Sequence, residues 1–189
     1  MDLPPLGPVN EFIPVPKNLW SFLNDGPFER CSICDRNLRE PGVVYLIEKA
    51  FRGDEPVFEY AMCHDCCDNL SSELSVKSLE LINNYYEEHV DLVARRERLL
   101  SNHGLDPKPW FDKCMIKNRE IKPREEHQIC ALCQDGDMLF SYMPFCLSGE
   151  AVDDIVKLLS DQTLGVIDDF IGKHFGSPDS SDLPKIILI

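Results

Sequence analysis

The sequence has no apolar run that approaches the roughly 18 to 20 residues of a membrane span. Its N-terminus lacks the basic start and apolar stretch of a signal peptide. It also contains no Ser–His–Asp order, no phosphate-binding loop and no His-Glu-x-x-His pattern. We therefore expect no membrane association and none of these enzyme classes, and we expect a cytoplasmic location, where thiols stay reduced.

Basic residues are scarce, because 19 Lys and Arg stand against 33 Asp and Glu, giving a formal net charge of −14. Nucleic-acid binding draws most of its affinity from Lys and Arg, so we do not expect nucleic acid as a partner. The segment "ARRERLL" at 94–100 is interpreted as a solvated helix face. The acidity instead favours a protein partner, including a basic one.

Nine cysteines are present, and an odd number leaves a disulfide scheme incomplete. In a reducing compartment they indicate metal binding. The main pattern is Cys31-x2-Cys34, then 28 residues, then Cys63-x2-Cys66. Each Cys-x2-Cys turn delivers two sulfurs to one ion, and a zinc ion prefers four such ligands in a tetrahedron.

The residues between the two pairs predict a β-hairpin, because Val43, Tyr45, Ile47 and Phe51 alternate along the first arm and "RGDEP" supplies the turn. Lys49 is the exception on this apolar face. The segment after the second pair then predicts one long helix, with apolar residues recurring every three or four positions. Ser75 or Ser72 is the candidate cap at its start, and the helix ends near Gly104.

This order of cysteine turn, hairpin, second cysteine pair and helix resembles a treble-clef zinc finger over about residues 28–100. The resemblance implies a structural zinc site with four ligands: Cys31, Cys34, Cys63 and Cys66. It names no function, because treble clefs serve many unrelated ones.

Three other interpretations of these cysteines stay open: packing in a core, an iron–sulfur cluster, and thiol–disulfide redox chemistry at Cys63 and Cys66. Cys67 is a spare thiol, either a small buried residue or a substitute ligand, and His64 is interpreted as an exposed neighbour.

Sequence similarity between the two halves of the chain predicts a duplicated unit. "FERCSICDRNL" at 28–38 resembles "FDKCMIKNREI" at 111–121, and "EYAMCHDCCD" at 59–68 resembles "EHQICALCQD" at 126–135. Lys117 stands where Cys34 stands in the first unit, and a short hairpin bent at Pro123 replaces the longer one.

The second unit has its own cysteine cluster. Cys114, Cys130 and Cys133 need a fourth ligand to hold a second zinc, and His127 and Cys146 are the candidates. Three ligands plus water is also the layout of a catalytic zinc. We favour a site that has lost its metal.

The predicted fold class is α+β: a treble-clef-like zinc unit followed by a degenerate second copy with two C-terminal helices, which begin after Ser148 and Thr163. The predicted organisation is a proline-rich arm anchored by Phe12, Ile13 and Trp20, the zinc unit, a linker, the degenerate repeat, and a spacer with the apolar tail "LPKIILI". Their ranges are 1–27, 28–103, 104–110, 111–176 and 177–189.

The function expected from these features is a non-catalytic zinc-binding scaffold or adaptor that recognises another protein, with one structural Zn²⁺. The alternatives are a thiol–disulfide redox protein using Cys63 and Cys66, or a zinc-assisted hydrolase using the second cysteine cluster.

Overall fold

The computed structural model describes residues 10–176, which form a mixed α+β fold with one curled eight-stranded sheet and six α-helices. The strands are β1 Phe12–Pro14, β2 Val44–Arg52, β3 Glu55–Cys63, β4 Lys113–Cys114, β5 Arg119–Glu120, β6 Glu126–Gln134, β7 Asp137–Leu139 and β8 Pro144–Ser148. The helices are α1 His64–Glu73, α2 Val76–His89, α3 Leu92–His103, α4 Lys108–Phe111, α5 Gly149–Val156 and α6 Asp161–Phe175. The predicted apolar tail lies outside the described residues.

Strand β6 is the centre of the sheet. It pairs antiparallel with β2 along its whole length, and β3 pairs with the far edge of β2. Its other edge pairs with β7 and β8; β1 extends the sheet beyond β7, and β4 and β5 extend it beyond β8. Strands from both halves of the chain therefore lie in one sheet.

The predicted hairpin is confirmed as β2 and β3. Gly53 in its turn has a φ of +64°, and a Cβ there would lie 3.1 Å from the Cα of Arg124. A side chain at this position would be strained by both the backbone and the close approach. The turn thus keeps the hairpin tight and returns its second arm to the start of α1.

The segment predicted as one long helix is two helices, α2 and α3. Ser75 caps α2 as predicted, accepting from the Ser78 N–H. The helix stops at Val90, which is extended, and Asp91 starts α3 by accepting a hydrogen bond from the Ala94 N–H. A single N-cap aspartate within a continuous apolar pattern is enough to break the helix.

The two predicted C-terminal helices are confirmed as α5 and α6. The Ser148 side chain caps α5, accepting from the Ala151 N–H. Helix α6 begins earlier than predicted, because Ser160 caps it, and it ends before Gly176 as expected. In the described part of the chain, no helix has the length and apolar character needed to cross a membrane.

The segment before the first cysteine packs on the core, but not through Phe12, which is 51% exposed. The other two predicted anchors, Ile13 and Trp20, are partly buried against the core, and Leu19, which was not predicted as an anchor, is fully buried. Residues 104–110, predicted as a linker, include the start of α4, and Trp110 there is fully buried. Burial of Leu19 and Trp110 joins both segments to the main core.

Lys49 is only 4% exposed, on the face of β2 that the sequence predicted to be apolar. Its Nζ lies 3.0 Å from Glu59 Oε2 and also donates to the Trp20 carbonyl. Glu59 in turn accepts a hydrogen bond of 2.7 Å from the Ser21 hydroxyl. A buried ion pair therefore fastens the segment around Trp20 to the hairpin.

Glu48 points to the opposite face of β2 and is completely buried. Its Oε2 accepts a 2.5 Å hydrogen bond from the Tyr60 hydroxyl, while Oε1 has no hydrogen-bond partner among the described residues. Burial raises the pKa of Glu48 to about 8, and the Tyr60 hydrogen bond offsets only part of that rise. The carboxyl group is therefore protonated at neutral pH.

We expect this carboxyl to make stability fall as pH rises. The unfolded chain releases the proton near the ordinary pKa of 4.5, but the folded chain keeps it until about 8. Between those values the folded state binds one more proton, so the free energy of unfolding declines by roughly 1 kcal/mol per pH unit and then levels off. Denaturant titrations from pH 5 to 9 measure the slope. Glu48→Gln should remove it, and equal slopes in both proteins would contradict the assignment.

Candidate metal centre

Cys31 and Cys34 lie in a tight turn closed by a backbone bridge between Arg30 and Asn37. The Asp35 N–H donates to the Cys31 carbonyl at 3.0 Å, and Asp35 adopts a left-handed φ of +61°. Aspartate tolerates this conformation better than most residues. The turn carries both thiols to the same side of the chain.

The second cysteine pair lies where β3 meets α1. Cys63 is the last residue of the strand and the N-cap of the helix, and Cys66 lies in the first helical turn. A change from strand to helix between the two residues brings their side chains together.

The four predicted cysteines form one cluster. The Sγ atoms of Cys31 and Cys66 are 3.9 Å apart, and those of Cys34 and Cys63 are 3.7 Å apart. All four sulfurs lie within 4.8 Å of one another, an arrangement able to hold a metal ion. The hairpin explains how residues so distant in sequence meet.

Backbone groups support the cluster. Ser32, between the two cysteines of the turn, donates its N–H to the Ala61 carbonyl at 2.8 Å, and its side-chain hydroxyl accepts from the Ala61 N–H at 3.1 Å. The Cys63 N–H donates to Cys31 Sγ at 3.4 Å. Ser32 could not be predicted from the sequence, because a serine between two cysteines carries no signal of a contact with a strand 29 residues away.

The thiols differ in how easily they ionise. Burial acts to raise the pKa of Cys31, but the N–H groups of Cys63, Cys34 and Ile33 stabilise its thiolate and bring its pKa below the ordinary value. For Cys66, burial and the neighbouring sulfurs raise the pKa. Four thiolates this close repel one another, so a bound cation would favour the ionised form of the whole set.

The cluster reaches the protein surface through Cys34, which is exposed, whereas Cys31 and Cys63 are buried. Cys34 and Cys66 line a groove of about 460 Å³ between α1 and α6, together with Lys173 and His174. Solvent and small chelators therefore reach the cluster through Cys34 and Cys66.

The two neighbours of the second pair lie outside the cluster. His64 is exposed, as expected, and its Nδ1 lies 2.9 Å from Asp68. Cys67 is half-buried, and its thiol donates to the Met62 carbonyl at 3.7 Å.

The second predicted cysteine cluster is not brought together. Cys130 and Cys133 both lie within β6, opposite Glu48 and Tyr45 of β2. Residues three apart in a strand point to opposite faces of the sheet, so this Cys-x2-Cys pair does not converge on one ion. Within residues 10–176, the cluster around Cys31 is the one group of at least three metal-ligating side chains with metal-binding spacing.

The other proposed ligands also lie apart from a common centre. Cys114 is opposite Cys146 in the parallel pair of β4 and β8. His127 stacks on the Phe51 ring, with centroids 5.1 Å apart. Residues Arg119–Glu120 pair with β4 and not with β6, so the predicted hairpin around Pro123 is also corrected.

Comparisons with protein-family models, curated proteins and solved structures find no match for this chain. Interpretation of the cluster therefore depends on its own geometry and chemistry.

Proposed function

We propose that Cys31, Cys34, Cys63 and Cys66 hold one structural Zn²⁺ ion, and that the protein is a non-catalytic scaffold that recognises another protein. The observation that carries this proposal is the close approach of the four sulfurs, all within 4.8 Å of one another. The unit around them, residues 28–103, is treble-clef-like in its order of turn, hairpin, cysteine pair and helix.

The sulfur–sulfur distances support a single ion. Zinc–thiolate bonds of about 2.3 Å place the sulfurs of a tetrahedron roughly 3.8 Å apart. The distances of 3.7 and 3.9 Å agree with that edge length. A disulfide needs sulfurs about 2.05 Å apart, and a multi-iron cluster spreads its cysteines around several metal atoms.

The donor set supports a structural role. Catalytic zinc keeps one coordination position for water or substrate, whereas four thiolates fill the tetrahedral shell. Two ligands come from the turn at Cys31 and two from the start of α1, so the ion would link the turn, the hairpin and the helix. It would thereby fix the angle between β3 and α1.

A protein partner is favoured by the charge of the chain. The net charge of −14 opposes binding to nucleic acid and favours steering of a basic protein surface. The proline-rich start and the apolar segment "LPKIILI" are further candidate contact segments in the sequence.

A pull-down experiment tests the scaffold function. We expect the zinc-loaded full-length chain to capture a basic protein that salt elutes, because screening weakens contacts between exposed charges. A variant that ends at Gly176 tests whether the apolar segment contributes. Failure of both forms to enrich any protein over a chain with scrambled surface charge would contradict the adaptor role.

A further inference from the structure

A second turn in the chain repeats the geometry of the first cysteine turn. Lys113 pairs with Glu120 as Arg30 pairs with Asn37. The Asn118 N–H donates to the Cys114 carbonyl at 2.9 Å, as that of Asp35 does to Cys31. Both Asn118 and Asp35 have a left-handed φ, of +49° and +61°. Every residue named in the second turn lies the same number of positions after its counterpart in the first turn.

The second turn also attaches to a strand in the same way as the first. The Met115 N–H donates to the Cys146 carbonyl on β8 at 2.8 Å, just as the Ser32 N–H donates to Ala61 on β3. In both cases the acceptor lies two residues before the N-cap of the next helix. The counterparts of β3 and α1 are therefore β8 and α5, and not the β6 segment that the sequence similarity suggested.

Each N-cap residue donates a hydrogen bond to the first cysteine of its turn, although through different groups. Cys63 ends β3 and caps α1, and its N–H donates to Cys31 Sγ. Ser148 ends β8 and caps α5, and its hydroxyl donates to Cys114 Sγ at 3.3 Å. This register assigns the four counterparts of the metal ligands in the second unit: Cys114, Lys117, Ser148 and Ala151.

Lys117, the counterpart of Cys34, connects the second turn to the helix. Its Nζ lies 2.6 Å from Asp154 Oδ2 and 3.5 Å from Glu150 Oε1, both on α5. The Tyr85 hydroxyl also donates to Asp154, at 3.4 Å. The hydrogen bond from Lys117 is the main reason that the pKa of Asp154 falls to about 2.

We propose that residues 111–156 are a second copy of the metal-binding framework, in which the Lys117–Asp154 ion pair replaces the metal as the link between turn and helix. The proposal rests on the proposed zinc site in the first unit. This explains why a lysine stands at the position of a metal ligand. Its ammonium group supplies the positive charge that a metal would supply, and the α5 carboxylates are its ion-pair partners.

Restoring the ligands tests the proposal. The variant Lys117→Cys/Ser148→Cys/Ala151→Cys completes a four-cysteine set with Cys114, and we expect two zinc ions per chain by native mass spectrometry and Co²⁺ absorption. The matched control, Lys117→Ala/Ser148→Cys/Ala151→Cys, offers only three thiolates. It should lose the second ion at a much lower chelator concentration.

The zinc count separates the two proposals. A wild-type chain without zinc would overturn the proposed function, whereas one ion in both the wild type and the folded triple variant would overturn only the second framework.

If the triple variant does not fold, a double-mutant cycle on Lys117 and Asp154 tests the proposed link instead. Lys117→Met and Asp154→Asn should show non-additive effects, a coupling of about fivefold or more in the unfolding equilibrium constant. Lys157 contacts the same Asp154 but is 72% exposed, so its cycle should show almost no coupling. Additive effects for Lys117 and Asp154 would contradict the proposed link.

Discussion

Replacing Cys34 by serine is expected to release the zinc ion and to lower the free energy of unfolding by several kcal/mol. Cys34 is exposed, so the loss of its side chain removes little packing. The effect must then come from the metal, which supplies roughly 10 to 16 kcal/mol of folding free energy in zinc-finger peptides. Metal analysis of the purified variant and its thermal melting curve measure the two parts of the prediction.

Cys67→Ser is the matched control for this experiment. Cys67 is adjacent to Cys66 in the sequence but lies outside the cluster, and its side chain is half-buried. Its replacement should leave the zinc content unchanged and shift the melting temperature only slightly. Equal effects of the two substitutions, or an unaltered zinc content in Cys34→Ser, would count against the four-cysteine site.

Lys49→Met is expected to cost about 3 to 5 kcal/mol of stability, because it leaves Glu59 as a buried charge without its partner. The side chains of the pair are only 5% and 4% exposed. The substitution also removes the hydrogen bond to the Trp20 carbonyl, so the segment before the first cysteine should loosen. Urea denaturation and limited proteolysis of that segment measure both consequences.

Arg52→Met, on the same strand, is the control for Lys49→Met. Its ion pair with Glu126 is about half exposed on both sides, and such pairs contribute about 0 to 1 kcal/mol. A loss of stability at Lys49 no larger than that at Arg52 would show that the buried pair does not fasten the hairpin.

The sequence was sufficient to predict the four-cysteine cluster because its pattern is local. Each Cys-x2-Cys pair marks a chain reversal or an element boundary, and the alternating hairpin between the pairs brings its ends back together. The hairpin, the cap at Ser75, the helix that begins after Ser148 and the four-cysteine cluster were all predicted from such signals.

The same reasoning failed where spacing alone does not fix the backbone. Cys130-x2-Cys133 has the spacing of a metal turn, yet it lies within a strand that places its two thiols on opposite faces. The break at Asp91 depends on a local helix cap, and the buried pair of Lys49 and Glu59 depends on a contact between strands. Both compete with the apolar pattern.

Native mass spectrometry of the intact protein, purified without added chelator, decides whether the four cysteines hold one structural ion. We expect one tightly held zinc per chain in the wild type and none in Cys34→Ser. A metal-free chain with a reversible two-electron couple would instead favour thiol–disulfide chemistry at Cys63 and Cys66. Two zinc ions in the wild type, one of them exchangeable, would favour the hydrolase interpretation, and either result would contradict a single structural ion.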